Sequence, residues 1–543
     1  MRLRRLLPSL SLLPLLAIGC NDNTPTYPAI IIYGNQGDVT GSGNNTGSGN
    51  NTGSGNNTGS GNNTGSGNNT GSGGSGTSSG GASSGNDLYA HCNTFNGGDD
   101  PPVGKVAQCD LDGLTDGGEL SGDITANKTL KTGTSYQLKG TVRVMPGVTL
   151  TIEPCVKILG LSPDSILAVT PGELGNPDRG CTYKTGKPGP GGKLVAEGEP
   201  MAPIVFTSAK PKGTRAAGDW GGVILMGNGL NNNASSANGV SGSRVLPEGL
   251  LNGTCFGWYN DDYNTESSGT LAYVRIEYAS KKISADRETN GLTLGALGSG
   301  TVIHHVMVSN SADDCFEWFG GAVNADHLIA LNCDDDGFDG DNGFSGKLQF
   351  LFGRQGPNTT EVDSRGFEID GAPSEQTGNF TTEQVSNFTV CGGGPTDRDS
   401  SRDGAILRKD ASVSLMNGII TGFAGSGLYV QSTNTSAANK STMTDVDIFG
   451  NKAGIMTQID VSTGVSEGAQ RDWFLGQTGN SAADPDRFCN CWANPPAPVA
   501  AKAAVGGTPT GFDDESANYV GAFKDASAES NWMRGKWVDW SSN

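Results

Sequence analysis

The residues best equipped for chemistry lie between positions 313 and 370. Asp313, Asp314 and Glu317 are followed by Asp334, Asp335, Asp336, Asp339 and Asp341, then by Arg365, Glu368 and Asp370. Two ionised carboxylates about 5 Å apart repel by roughly 3–4 kcal/mol at an effective dielectric of 20. Such a group needs shared protons, a guanidinium such as Arg365, or a bound cation. The run DDDGFDGDNG at 334–343 puts hard oxygen ligands on a glycine-bent loop. That suits Ca²⁺, with Asp334, Asp335, Asp336, Asp339 and Asp341 as ligands. The run lacks the spacing and terminal Glu of an EF-hand loop. A solvated row of acidic turns with no ligand is the other reading. The chain has 4 histidines, too few for a multi-His metal enzyme. His304 and His305 adjoin in an alternating strand, which predicts rings on opposite faces.

These side chains need elements to hold them. From about residue 135 the chain reads as short β runs broken by glycine, for example TVRVMPGVTLTIEPCVKIL at 141–159. A small residue followed by an apolar one then recurs: Gly291-Leu292, Cys315-Phe316, Gly337-Phe338, Gly366-Phe367, Gly404-Ala405, Gly427-Leu428 and Gly454-Ile455. The second members step by 24, 22, 29, 38, 23 and 27 residues. Repeats of this length with loops of varying size indicate an all-β solenoid, a right-handed parallel β-helix. A propeller blade would repeat at about 40–50. In this register Glu317, Asp339 and Glu368 stack in one column. Asp314 and Asp336 stack in another, with Arg365 next.

Composition agrees. Of 85 glycines, 17 fall in residues 41–85 and 68 lie elsewhere, where turns between coils at φ > 0 would use them. The net charge of −20 repels nucleic acid. Residues 1–20, MRLRRLLPSLSLLPLLAIGC, combine a basic start, a short apolar run and a terminal cysteine. The run is too short to span a bilayer and reads as a signal peptide. Residues 21–86 include five copies of GSGNNT, a coil of about 45 Å r.m.s. reach. Beyond Cys20, ten cysteines remain, an even number that implies disulfides in an exported chain. Sequence neighbours Cys92/Cys109 and Cys155/Cys181 are the simplest pairs. The expected division is a signal peptide (1–20), a disordered linker (21–86), an N-terminal cap (87–135), a β-helix (136–470) and a C-terminal cap (471–543).

Several of these segments carry resemblances. Gly19-Cys20 resembles the bacterial lipobox, which implies a lipid on Cys20 and a bilayer as partner. GDWGGVIL, YVRIEYAS, GLTLGALGSGT, DDCFEWFGG, DDDGFDGDNGFSG, YVGAF and GKWVDW resemble a family of exported bacterial β-helix proteins, many of them lipoproteins. That resemblance implies the fold and an envelope location, and it brings no activity with it. Asp313-Asp314-Cys315 echoes polygalacturonase-type glycosidases, inverting enzymes that work with paired carboxylates. The echo names Asp313, Asp314, Glu317, Asp336 and Arg365 as candidate catalytic residues. The Gly-His-Gly and Arg-Ile-Lys segments of those enzymes have no counterpart here. A pectate-lyase-like site would pair Ca²⁺ with a base such as Arg365, Arg408 or Lys409. The expectation is therefore a lipid-anchored β-helix of the cell surface or outer membrane that binds a glycan or an envelope protein. A polysaccharide-degrading enzyme is the alternative.

Overall fold

The computed structural model describes residues 104–541, apart from 107–108, 173–180, 184–187, 238–240, 249–253, 285–286, 357–363, 373–378, 394–402, 432–440, 457–465, 484–490 and shorter segments from 493 onward. Cys20, the GSGNNT linker, Cys92 and Cys489 lie outside the described residues.

Apolar residues at every second position let a strand bury one face. Here the strands wind into a right-handed parallel β-helix whose coils have three faces. The first face runs through strands such as Thr149–Ile152 and Lys193–Glu197. The second runs through Lys157–Gly160 and Ile204–Ser208. The third runs through Ile166–Val169, Val223–Met226, Leu292–Leu297, Phe316–Gly321, Phe338–Asp341, Phe367–Asp370 and Ala405–Arg408. From Gly269–Glu277 onward, one longer strand bends across faces one and two, pairing with both earlier ladders. Parallel pairing satisfies each coil's backbone through its neighbours. The repeat residues are true register partners: Leu292, Phe316, Phe338, Phe367 and Ala405 follow one another up face three. Inside, the rings of Phe316, Phe338 and Phe367 stack at centroid distances of 5.5 and 5.4 Å.

Of the repeat glycines, Gly454 has the expected positive φ of 85°, and others differ from expectation. Gly291, Gly404 and Gly427 do not have positive φ; what they lack is space. A Cβ on Gly404 would lie 2.0 Å from Ile420 Cγ2, and one on Gly427 would lie 2.1 Å from Ile448 Cγ2. Left-handed backbone occurs at turn glycines such as Gly133, Gly147 and Gly422, as expected, and also in a column of other residues at the bend between faces one and two. It comprises Tyr273, His305, His327, Phe350, Asn387, Asn417 and Asp445, with φ between 51° and 57°. This corrects the histidine expectation. Alternation breaks at His305, so both rings fall on one side, with Nδ1 of His304 3.0 Å from Nδ1 of His305.

The coils begin earlier than position 136, because Thr115–Ile124 already pairs with Thr134–Val144. The C-terminal region divides in two. Helix Glu467–Leu475 covers the last coil with Phe474, while Asn480 bonds the last strand at Val446 N and Met443 O. Residues 502–541 instead run back along the bend as a strap. Asp445 accepts from Val505 N and Gly506 N, Asn387 donates to Ala517 O and Tyr519 O, and Trp537 N reaches Pro200 O. Trp537 is fully buried against coil residues such as Met307 and Ile329. The tryptophans of this region thus serve packing. Disulfides join Cys109–Cys155, Cys181–Cys255, Cys315–Cys333 and Cys391–Cys491. The neighbour pairs Cys92/Cys109 and Cys155/Cys181 are therefore corrected, because stacked coils bring together residues distant in sequence. Among the described residues no helix is long and apolar enough to cross a membrane.

Candidate functional site

Face three points alternate residues outward, so Phe316 enters the core and Glu317 leaves it. Glu317 nevertheless has only 8% exposure. Residues 227–232 and 254–266 fold over this face. Its Phe256 ring packs on Gly295 and Phe319, Asn231 donates to Phe319 O, and Asn232 donates to Gly371 O and Asn379 O. Outward carboxylates are thereby trapped between coils and cover.

Glu317, Asp339 and Glu368 are successive register partners on three coils. Asp314 and Asp336 form the second column. Asp314 Oδ1 accepts from Asp336 N at 2.8 Å, and Asp336 Oδ1 accepts from Arg365 N at 2.5 Å. Asp403 repeats the device on Ser426 N at 2.7 Å. These aspartates stitch one coil to the next with one oxygen.

Charge separates the site into two ends. Downstream, Glu368 is gripped by Arg365 and Arg408, and Asp370 by Arg408 and Lys409. Upstream, Glu317 accepts from Asn290 Nδ2, and Asp339 Oδ1 is buried with no hydrogen-bond partner. Asn290, 1% exposed, also leaves its Oδ1 without a partner. Burial, and then neighbouring carboxylates, push Asp313, Asp314, Glu317 and Asp339 well above the usual carboxylate range. Asp341 is pushed up to about 6 by burial and Asp370, although Asn342 N donates to it.

Three carboxylate groups have ligand oxygens all within 4.8 Å of one another: Asp314/Asp335/Asp336, Asp314/Glu317/Asp339 and Asp336/Asp339/Glu368. That span is twice a Ca–O distance of about 2.4 Å. The donors are all hard oxygens, and an orphaned buried amide oxygen lies beside them at Asn290. The residues present therefore fit a hard divalent cation. Of the five ligands read along the loop, Asp335, Asp336 and Asp339 join these groups, while Asp334 and Asp341 join none of them. Asp313 lies beside the site through its charge on Asp314. Asn290 was not among the expected ligands; its signal was its place directly before Gly291, one coil upstream of Cys315.

The family model for the pectate-lyase-like β-helix domain matches residues 122–493. No curated protein matches the chain. A solved structure described as PfbA, a surface adhesin of Streptococcus pneumoniae, is 8% identical over 59% of this chain and 82% of that chain, with a TM-score of 0.18. A likeness at that level carries no argument about function.

Proposed function

We infer the function from one premise: the chain belongs to the pectate-lyase-like β-helix domain family. On that scaffold we propose a cell-envelope binding module, stabilised by Ca²⁺, that presents its lateral face to a glycan or an envelope protein. A lipid on Cys20 would hold it to the membrane, and the linker would set its distance. One observation carries the cation: the buried oxygens of Asp314, Glu317 and Asp339 lie within 4.8 Å of one another, with no basic side chain paired to this group in the described contacts. Burying several carboxylates without a countercharge costs several kcal/mol per charge, and a divalent ion offsets that cost. Asp336, on the coil of Asp339, and Glu368, one coil further on, would complete the shell. Calorimetric titration with CaCl₂ tests this. Saturable binding is expected, and Asp339→Asn should weaken it at least about tenfold. An unchanged affinity in that variant would remove the site.

A second reading, a polysaccharide-degrading enzyme, is favoured by the guanidinium groups of Arg365 and Arg408 abutting the carboxylate column. A raised carboxyl beside an ionised one could divide general-acid and general-base work. Incubation with uronans and neutral glycans, read as reducing ends or unsaturated products, distinguishes the readings. Activity abolished by Asp314→Asn would favour the enzyme.

A further inference from the structure

Face two carries a cavity of about 550 Å³, well away in register from the carboxylate column. That volume falls within the roughly 300–1,000 Å³ of small-ligand sites. Its walls come from four parts of the chain: the segment 109–112, the strands bearing Lys157, Thr207 and Arg275, the turn bearing Lys212 and Arg215, and the strap at 535–539. The Cys109–Cys155 disulfide and the bond from Lys536 Nζ to Cys109 O, 2.7 Å, hold strap and coils together at its edge.

In a chain whose net charge is −20, the wall carries five basic side chains, Lys157, Lys212, Arg215, Arg275 and Lys536, against four acidic ones, Asp110, Asp112, Glu277 and Asp539. Lys157 and Lys212 share a single exposed carboxylate, Asp112, at 3.6 and 3.5 Å. Lys536 is held by a backbone carbonyl, which brings no negative charge. Arg275 is matched by Glu277 at 2.9 Å and Asp539 at 3.6 Å. Arg215 lies over the Tyr278 ring and donates to Thr207 Oγ1 at 3.3 Å. The wall therefore holds one cation more than it holds carboxylates, which favours a ligand with a single negative charge. The same wall includes Asp110 and Asp112. A bare anion would be repelled by these carboxylates, whereas ligand hydroxyls would donate to them.

We propose that this cavity binds a small sugar carrying one oxyanion, a sugar acid or a sugar phosphate, with the oxyanion at Lys157, Lys212 and Lys536 and hydroxyls at Asp110 and Asp112. Calorimetry on the purified chain tests it with four probes: D-glucuronate, D-glucose 6-phosphate, D-glucose and inorganic phosphate. One charged sugar should bind at least about tenfold more tightly than glucose and phosphate, and which one binds identifies the oxyanion. Binding should weaken with added salt. Lys212→Glu, at an exposed position, should cost at least about tenfold in affinity while leaving the melting temperature and the calcium response unchanged. Absence of binding by both charged sugars, equal binding of glucose or phosphate, or full affinity in Lys212→Glu would each overturn the proposal.

Discussion

Glu383 shows how a single carboxyl couples this fold to pH. It is 2% exposed, sits against Gly340, and leaves Oε2 without a hydrogen-bond partner. Burial pushes it up to about 8 from an ordinary 4.5. The folded chain therefore holds a proton that the unfolded chain releases near 4.5. Its contribution is complete below about pH 4.5 and is lost as pH rises through about 8. Glu383→Gln should flatten the fall of melting temperature between pH 5 and 8 and should be more stable than wild type at pH 8. The same pH slope in both proteins would refute the assignment. The sequence exposes such residues unevenly. Glu317, Asp339 and Glu368 were legible because each follows a repeat aromatic by one position. Glu383 was not, because nothing in its neighbours says that the core closes over it. His305 misled because alternation assumes an extended backbone, and its φ is 53°.

At the scale of elements, the coils were legible and the strap was not. Repeated Gly-apolar pairs reveal register because every coil must bury the same inward position. The strap has no period; its partners are single side chains in the left-handed column, such as Asn387, Asn417 and Asp445. Asp445 is fully buried and its carboxylate accepts from two strap amides. Asp445→Ala should orphan those amides and cost about 2–4 kcal/mol. Hydrogen exchange should then accelerate at residues 505 and 506 before the coils open; unchanged protection there would contradict a latch. Phe338→Ala tests the interior stack independently. Removing a ring that contacts Phe316 and Phe367 should cost about 3–5 kcal/mol by calorimetric or denaturant unfolding. A loss below about 1 kcal/mol would mean that the stack adds little to stability.

The described residues from 115 to 449 form one continuous stack of coils. Each coil contacts its neighbours above and below, so a cation bridging three coils would strengthen several interfaces together. The anchor has its own test: Cys20→Ala should move the protein from the membrane fraction to the soluble fraction, and unchanged membrane association would oppose lipidation. The central claim is that the carboxylate column is a calcium site that holds adjoining coils. Thermal unfolding of the purified chain in millimolar CaCl₂ and in chelator tests it most directly, because an ion bound only to the folded state must raise its stability. The account predicts a melting temperature several degrees higher with calcium, and no such gain in a Glu317→Gln/Asp339→Asn double variant. Identical melting of the wild-type chain in calcium and in chelator would contradict it.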